Sequence, residues 1–124
     1  MDFLRRYISS RGIGPAWVDL RPHDELLTEP AAVTEDGVTA EVRASMTWQV
    51  TNEEAARTMA SMLAKAVPVL MRTEIRAVVG RNAWADLLFE RERLVADIRA
   101  DIEPYGNKWG ITVRSFEILE VERR

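Results

Sequence analysis

Cysteine is absent from the 124 residues. Disulfides, thiolate metal ligands and cysteine nucleophiles are therefore excluded, a usage that fits a reducing compartment such as the cytosol. Histidine occurs once, at His23. Any acid–base or metal chemistry would have to centre there. It stands beside Asp24 and Glu25, but one histidine next to two carboxylates lacks metal-ligand spacing and reads as an ordinary surface combination. No run of about 18 apolar residues exists, so the sequence contains no transmembrane helix. The N-terminus lacks the apolar core and small-residue cleavage site of a signal peptide. A glycine-rich phosphate loop, a paired-histidine helix and a GxSxG elbow are missing too. Basic residues alternate with acidic ones, which leaves no stripe for nucleic acid, and the formal net charge is only −3.

What is present suits a globular fold: 47% hydrophobic and 30% charged residues, at a length able to bury a core. The most informative stretch runs from Thr34 to Val50. Glu35-Asp36-Gly37 supplies a turn. From Val38 onward, Val38, Ala40, Val42, Ala44, Met46, Trp48 and Val50 share one parity, while Thr39, Glu41, Arg43, Ser45, Thr47 and Gln49 share the other. A period of two predicts a strand with one buried and one wet face. At about 3.3 Å per residue it would reach roughly 43 Å, long enough to expect a bend or bulge. It is expected to be the central strand of an antiparallel or mixed sheet.

After Val50 the period becomes helical. Thr51 or Asn52 can cap a helix whose first turn carries Glu53 and Glu54, where the helix dipole favours them. The apolar stripe from Met59 through Leu63, Val67, Met71 and Ile75 to Val79, with Pro68 disfavoured deep inside a helix, predicts a short helix near 53–60, a break, and a helix from about 66 to 79 closed by Gly80. Asn82 is expected to cap the segment Ala83–Phe89. Residues 90–102 form an amphipathic helix with Leu94, Ile98 and Ile102 on one side, ended by Pro104, Gly106 and Gly110. Ile111–Val121 alternates as a strand, although neither parity is purely apolar. Upstream, Ala16–Arg21 is a short strand candidate ended by Pro22. The order of strands, then helices, then a strand predicts an α+β fold: a sheet packed against about three to four helices, in one domain over residues 1–124. Residues 1–15 form an N-terminal segment in which Phe3, Leu4, Tyr7 and Ile8 fall on one helical arc with Arg5 and Arg6 away from it. This is a candidate membrane-proximal element; a frayed or docked terminal turn is the alternative.

These blocks occur in a familiar order. Val18-Asp19-Leu20-Arg21, then Pro30, then Val33, Thr34, Asp36 and Val38, the long strand, and Val50-Thr51-Asn52 with Glu54 and Ala56 resemble the stomatin–prohibitin–flotillin (SPFH, band 7) domain family. Ile75-Arg76 with Val79-Gly80, Asp86-Leu87-Leu88 with Glu90-Arg91, and Trp109-Gly110-Ile111 continue the resemblance, which covers roughly residues 16–122. It implies a non-enzymatic scaffold without cofactor or small-molecule substrate. Such a scaffold forms homo-oligomers, organises membrane microdomains and works with a membrane protein or protease. The cytoplasmic face of a membrane is the implied location, with a soluble cytoplasmic adaptor as the alternative. Family members usually carry an N-terminal membrane anchor and a long helix after the last strand; the resemblance here covers the domain between them. On this reading Arg91, Arg93, Asp97 and Asp101 are candidates for pairing between subunits, and the wet face from Thr39 to Gln49 is a candidate contact surface.

Overall fold

A computed structural model describes residues 18–124. Two strands, β1 (His23–Val33) and β2 (Thr39–Val50), form a hairpin. Four helices follow: α1 (Glu53–Ala56), α2 (Leu63–Gly80), α3 (Trp84–Phe89) and α4 (Arg91–Trp109). The last element is β3 (Ile111–Arg123). The sheet has the order β1-β2-β3 and is antiparallel throughout, so β2 is the central strand and the architecture is α+β.

The parity of β2 survives intact. Ala40, Val42, Ala44, Met46, Trp48 and Val50 are all buried against the helices, and Val38 is half-buried. The irregularities expected of so long a strand lie on its neighbours. β1 carries one extra residue between Glu29 and Ala32, where two steps on β2 face three on β1. β3 carries two, at Arg114 and at Leu119. Each bulge shifts the inward parity by one residue. The inward set on β3 therefore runs Ile111, Val113, Phe116, Ile118 and Val121, and this is why no single parity of its sequence is apolar.

The sequence reading missed β1. Residues 18–22 form no strand, Ala16 and Trp17 lie outside the described residues, and the strand begins after Pro22. Pro30 lies inside β1. It is tolerated because β1 is an edge strand and the proline falls in its bulge, where no ladder bond is lost. The expected break falls at residues 57–62, between α1 and α2. α2 starts at Leu63, three residues earlier than expected, and holds Pro68 in its interior, while α4 runs on through Pro104, where its end is expected, to Trp109. In each case a long apolar stripe is buried, Leu63, Val67, Met71, Ile75 and Val79 in α2 and Leu94, Ile98 and Ile102 in α4. At about 1.5–3 kcal/mol per buried side chain, each stripe outweighs the loss of about 3 kcal/mol per internal proline. Gly80 is helical with ordinary φ, and Arg81 is the C-cap. Asn82 does not cap α3; its Nδ2 donates 2.7 Å to the Val78 carbonyl and closes α2 instead.

Asn52 behaves as expected, accepting a hydrogen bond from Ala55 N–H at 3.1 Å. Its own N–H and that of Thr51 donate to the Gly110 carbonyl at 3.0 and 2.9 Å. The start of α1 is thereby tied to the end of α4. α2 packs against β1, α4 against β3, and the two long helices against each other; among the described residues no helix covers the opposite face of the sheet, called the open face below.

Candidate interaction surface

The charged side chains singled out on α4 sit at its junction with α2 and α3. Arg93 lies between Asp86 of α3 and Asp97 one turn on, at 3.6 Å from each. Asp101 accepts from Arg81, just past α2, at 2.9 Å. Arg91 is half-buried at the first position of α4. Three of the four candidates thus already pair within the chain. These are solvent-exposed ion pairs, worth about 0–1 kcal/mol each. They fix how α3 and the end of α2 rest on α4 and remain accessible to a neighbour's charges.

Sequence reading overlooked what lies beside them. Leu88 is 41% exposed and Phe89 81% exposed at the end of α3, immediately before this charged turn. An isolated exposed apolar residue is commonplace, but an aromatic beside a leucine with a charged rim has the composition of an interface anchor. The signal was present: Leu87 continues the inward stripe toward Leu94, so Leu88 and Phe89 had to face elsewhere.

The β1–β2 turn positions α3. Asp36 Oδ1 accepts from the Thr34 hydroxyl at 2.6 Å and from Trp84 N–H, at the first turn of α3, at 3.1 Å. Those two donors, the hydroxyl foremost, hold the Asp36 carboxyl below the usual carboxylate range. Glu35 N–H donates to the Asn82 carbonyl at 2.9 Å, adding a second tie. On the sheet's inner face, buried Glu29 accepts from Arg76 of α2 at 3.1–3.2 Å, clamping β1 to α2.

His23, Asp24 and Glu25 do not converge. The pleat sends His23 and Glu25 to the inner face and Asp24 to the open one. His23 stacks on Trp48 at 4.3 Å between ring centroids, with its Nε2 3.7 Å from Asp19. Trp48 Nε1 donates to Glu25 at 3.4 Å, and Thr47 donates to Asp24 at 2.6 Å. Each has a structural partner, and among the described residues no group of three or more His, Cys, Asp or Glu side chains could hold a metal ion. On the open face, Thr39, Ser45, Thr47 and Gln49 are half-buried while Arg43 is exposed. Glu41 is covered by its ion pairs with Arg124 and Arg43. Phe3, Leu4, Arg5, Arg6, Tyr7 and Ile8 lie outside the described residues. No helix among the described residues is long and apolar enough to cross a membrane.

A three-stranded antiparallel sheet with α2 and α4 on one face, entered by a bulged edge strand and closed by a glycine at the α4–β3 joint, defines the class. The profile of the SPFH domain / Band 7 family matches residues 15–123. The chain belongs to the SPFH / Band 7 family. It is 31% identical over 105 residues to an uncharacterised protein of Archaeoglobus fulgidus, covering 85% of this chain and 42% of that one. It is 30% identical over 105 residues to a stomatin homolog of Pyrococcus horikoshii, covering 85% and 40%. With Stomatin-2 of Caenorhabditis elegans it shares 26% identity over 104 residues, 84% of this chain and 28% of the relative. The chain thus spans less than half the length of these relatives.

Proposed function

We propose that this chain is a non-enzymatic, oligomerising scaffold module of the stomatin-like type. It associates with the cytoplasmic face of a membrane, where it organises lateral microdomains or regulates a membrane protein or protease. The single observation that carries the reading is the family match over residues 15–123. The surface chemistry agrees with it. Phe89 and Leu88 supply an apolar anchor, and Arg91, Arg93, Asp97 and Asp101 supply a charged rim that sets register more than affinity. A neighbouring subunit docking there would cover Phe89 and exchange exposed intrachain ion pairs for intersubunit ones at little net cost.

Sedimentation velocity across a concentration series tests the reading. The wild-type chain is expected to self-associate, and Leu88→Ser/Phe89→Ser to weaken that association at least tenfold while leaving the circular dichroism spectrum unchanged. A chain that stays monomeric at every concentration would count against the scaffold. Unchanged association of the double variant would move the interface elsewhere.

A further inference from the structure

Helix α2 is asymmetric in charge. Its one carboxylate is Glu74, against the cations Lys65, Arg72 and Arg76. At 3.6 residues per turn, Lys65, Val69, Arg72, Arg76 and the preceding Met62 fall within an arc of about 80°, and Glu74 lies about 120° beyond its edge. The arc is turned away from the buried stripe that packs on the sheet. Met62 is 57% and Val69 54% exposed. Arg76 is offset by buried Glu29, whereas Lys65 and Arg72 form no salt bridge among the described residues. A chain of net charge −3 therefore presents one helix face that combines uncompensated cations with exposed aliphatic side chains.

The route of the chain adds a second observation. Val18 and Asp19 share a hollow of about 120 Å³ with Ala60, Leu63 and Ala64, so the first described residues lie beside the start of α2. The preceding segment, residues 1–17, carries Arg5, Arg6 and Arg11 against Asp2 alone. It has the same sign as the α2 stripe and is poorly suited to cover it. Both stretches carry an excess of cations and suit an anionic surface.

We propose that the outer face of α2 docks the domain on an anionic phospholipid headgroup layer. Lys65 and Arg72 act as the cations there, and Met62 and Val69 make the shallow apolar contacts. A nucleic acid is disfavoured because the stripe carries no aromatic side chain for base stacking. A lipid surface is favoured because the cations are interleaved with aliphatic groups, the pattern of a helix lying at an interface. Each cation near such a surface contributes on the order of fivefold in affinity. The attraction of one copy is modest, and an oligomer multiplies it by presenting several stripes at once. The proposal rests on the membrane-associated reading given above and names the surface responsible.

Flotation of the full chain with phosphatidylcholine vesicles, with and without phosphatidylserine and at low and high salt, tests it. Binding is expected to need phosphatidylserine, to fall with salt, and to weaken roughly 25-fold in Lys65→Gln/Arg72→Gln. The exposed single change Lys65→Gln should weaken it about fivefold. Wild-type binding by both variants, or equal binding to vesicles without phosphatidylserine, overturns the proposal. So does loss of binding in Arg5→Gln/Arg6→Gln with none in Lys65→Gln/Arg72→Gln, or preference for a polyglutamate competitor over vesicles. Sedimentation in parallel separates the two readings. Oligomers that never bind vesicles sink the lipid surface alone, and monomers whose vesicle binding depends on Lys65 and Arg72 sink the oligomer alone.

Discussion

Gly110 shows how much one residue can hold. Its φ is +73°, a conformation L side chains rarely adopt, and a Cβ there would stand 2.3 Å from the Asn52 carbonyl oxygen and 2.7 Å from Ala56 N. Gly37 has a similar φ of +82° but open space around it. The pair separates backbone strain from collision. Gly37→Ala is expected to lose about 1 kcal/mol, the cost of the left-handed conformation alone. Gly110→Ala must also push α1 off the end of α4 and is expected to lose about 3–5 kcal/mol, at the upper end for a single substitution. Urea denaturation of both variants checks this; equal losses would mean that the close approach does not constrain the fold. The Trp-Gly-Ile sequence marked a strand start. That its glycine also anchors the first helix could be seen only when residues 52 and 110 met in space.

At the scale of elements, periodicity located the long pieces well and their ends poorly. β2 and the buried stripes of α2 and α4 follow their sequence periods directly. Prolines misled because their local cost is fixed while the compensating burial is set by tertiary packing. This yields a prediction for α4. Pro104 is exposed and leaves the Ala100 carbonyl without its helical donor. Pro104→Ala is expected to raise stability by about 1–3 kcal/mol, less than the full interior penalty because alanine also frees the unfolded chain. A higher urea midpoint at an unchanged denaturant slope is the expected result; a lower one would mean that the proline shapes the turn of helix beneath Tyr105 and Trp109. The candidate surface was half legible. The charges of α4 stand out as a run, and the Arg93–Asp97 pair is written one turn apart in it, but the partners Arg81 and Asp86 come from other elements, so those pairings have no local signature. Leu88 and Phe89 lie in a segment whose helical period is legible, but which side it leaves exposed shows only once Leu87 is placed in the core.

Across the whole molecule, Asp36 and Glu41 tie segments far apart in sequence, while Asp19 holds a local turn. Arg21 depresses the Asp19 carboxyl, the Thr34 hydroxyl and Trp84 N–H depress Asp36, and Arg124 at the chain's last position depresses Glu41. A carboxylate depressed in the folded state stabilises fully above its unfolded value and loses that contribution as the pH falls through its folded value. The ordinary values are 3.8 for Asp19 and Asp36 and 4.5 for Glu41. Stability is therefore expected to hold from neutral pH down to about 4.5 and then to fall steadily in more acid solution. Urea midpoints measured between pH 7 and pH 3 check this. Asp36→Asn/Glu41→Gln should flatten the acid limb, and an unchanged limb would place the acid sensitivity in other groups.

By itself the sequence determined the α+β class, the central strand with its buried and open faces, and the family. These rest on local periodicity and on short motifs in fixed order, both written along the chain. Only the tertiary structure decided the edge strand through Pro30, the bulges on β3, the passage of both helices through proline, the glycine joint between α1 and α4, and the exposure of Phe89 and of the α2 stripe. Each of these depends on which residues distant in sequence come to share a surface, and burial against such neighbours can outweigh any local preference.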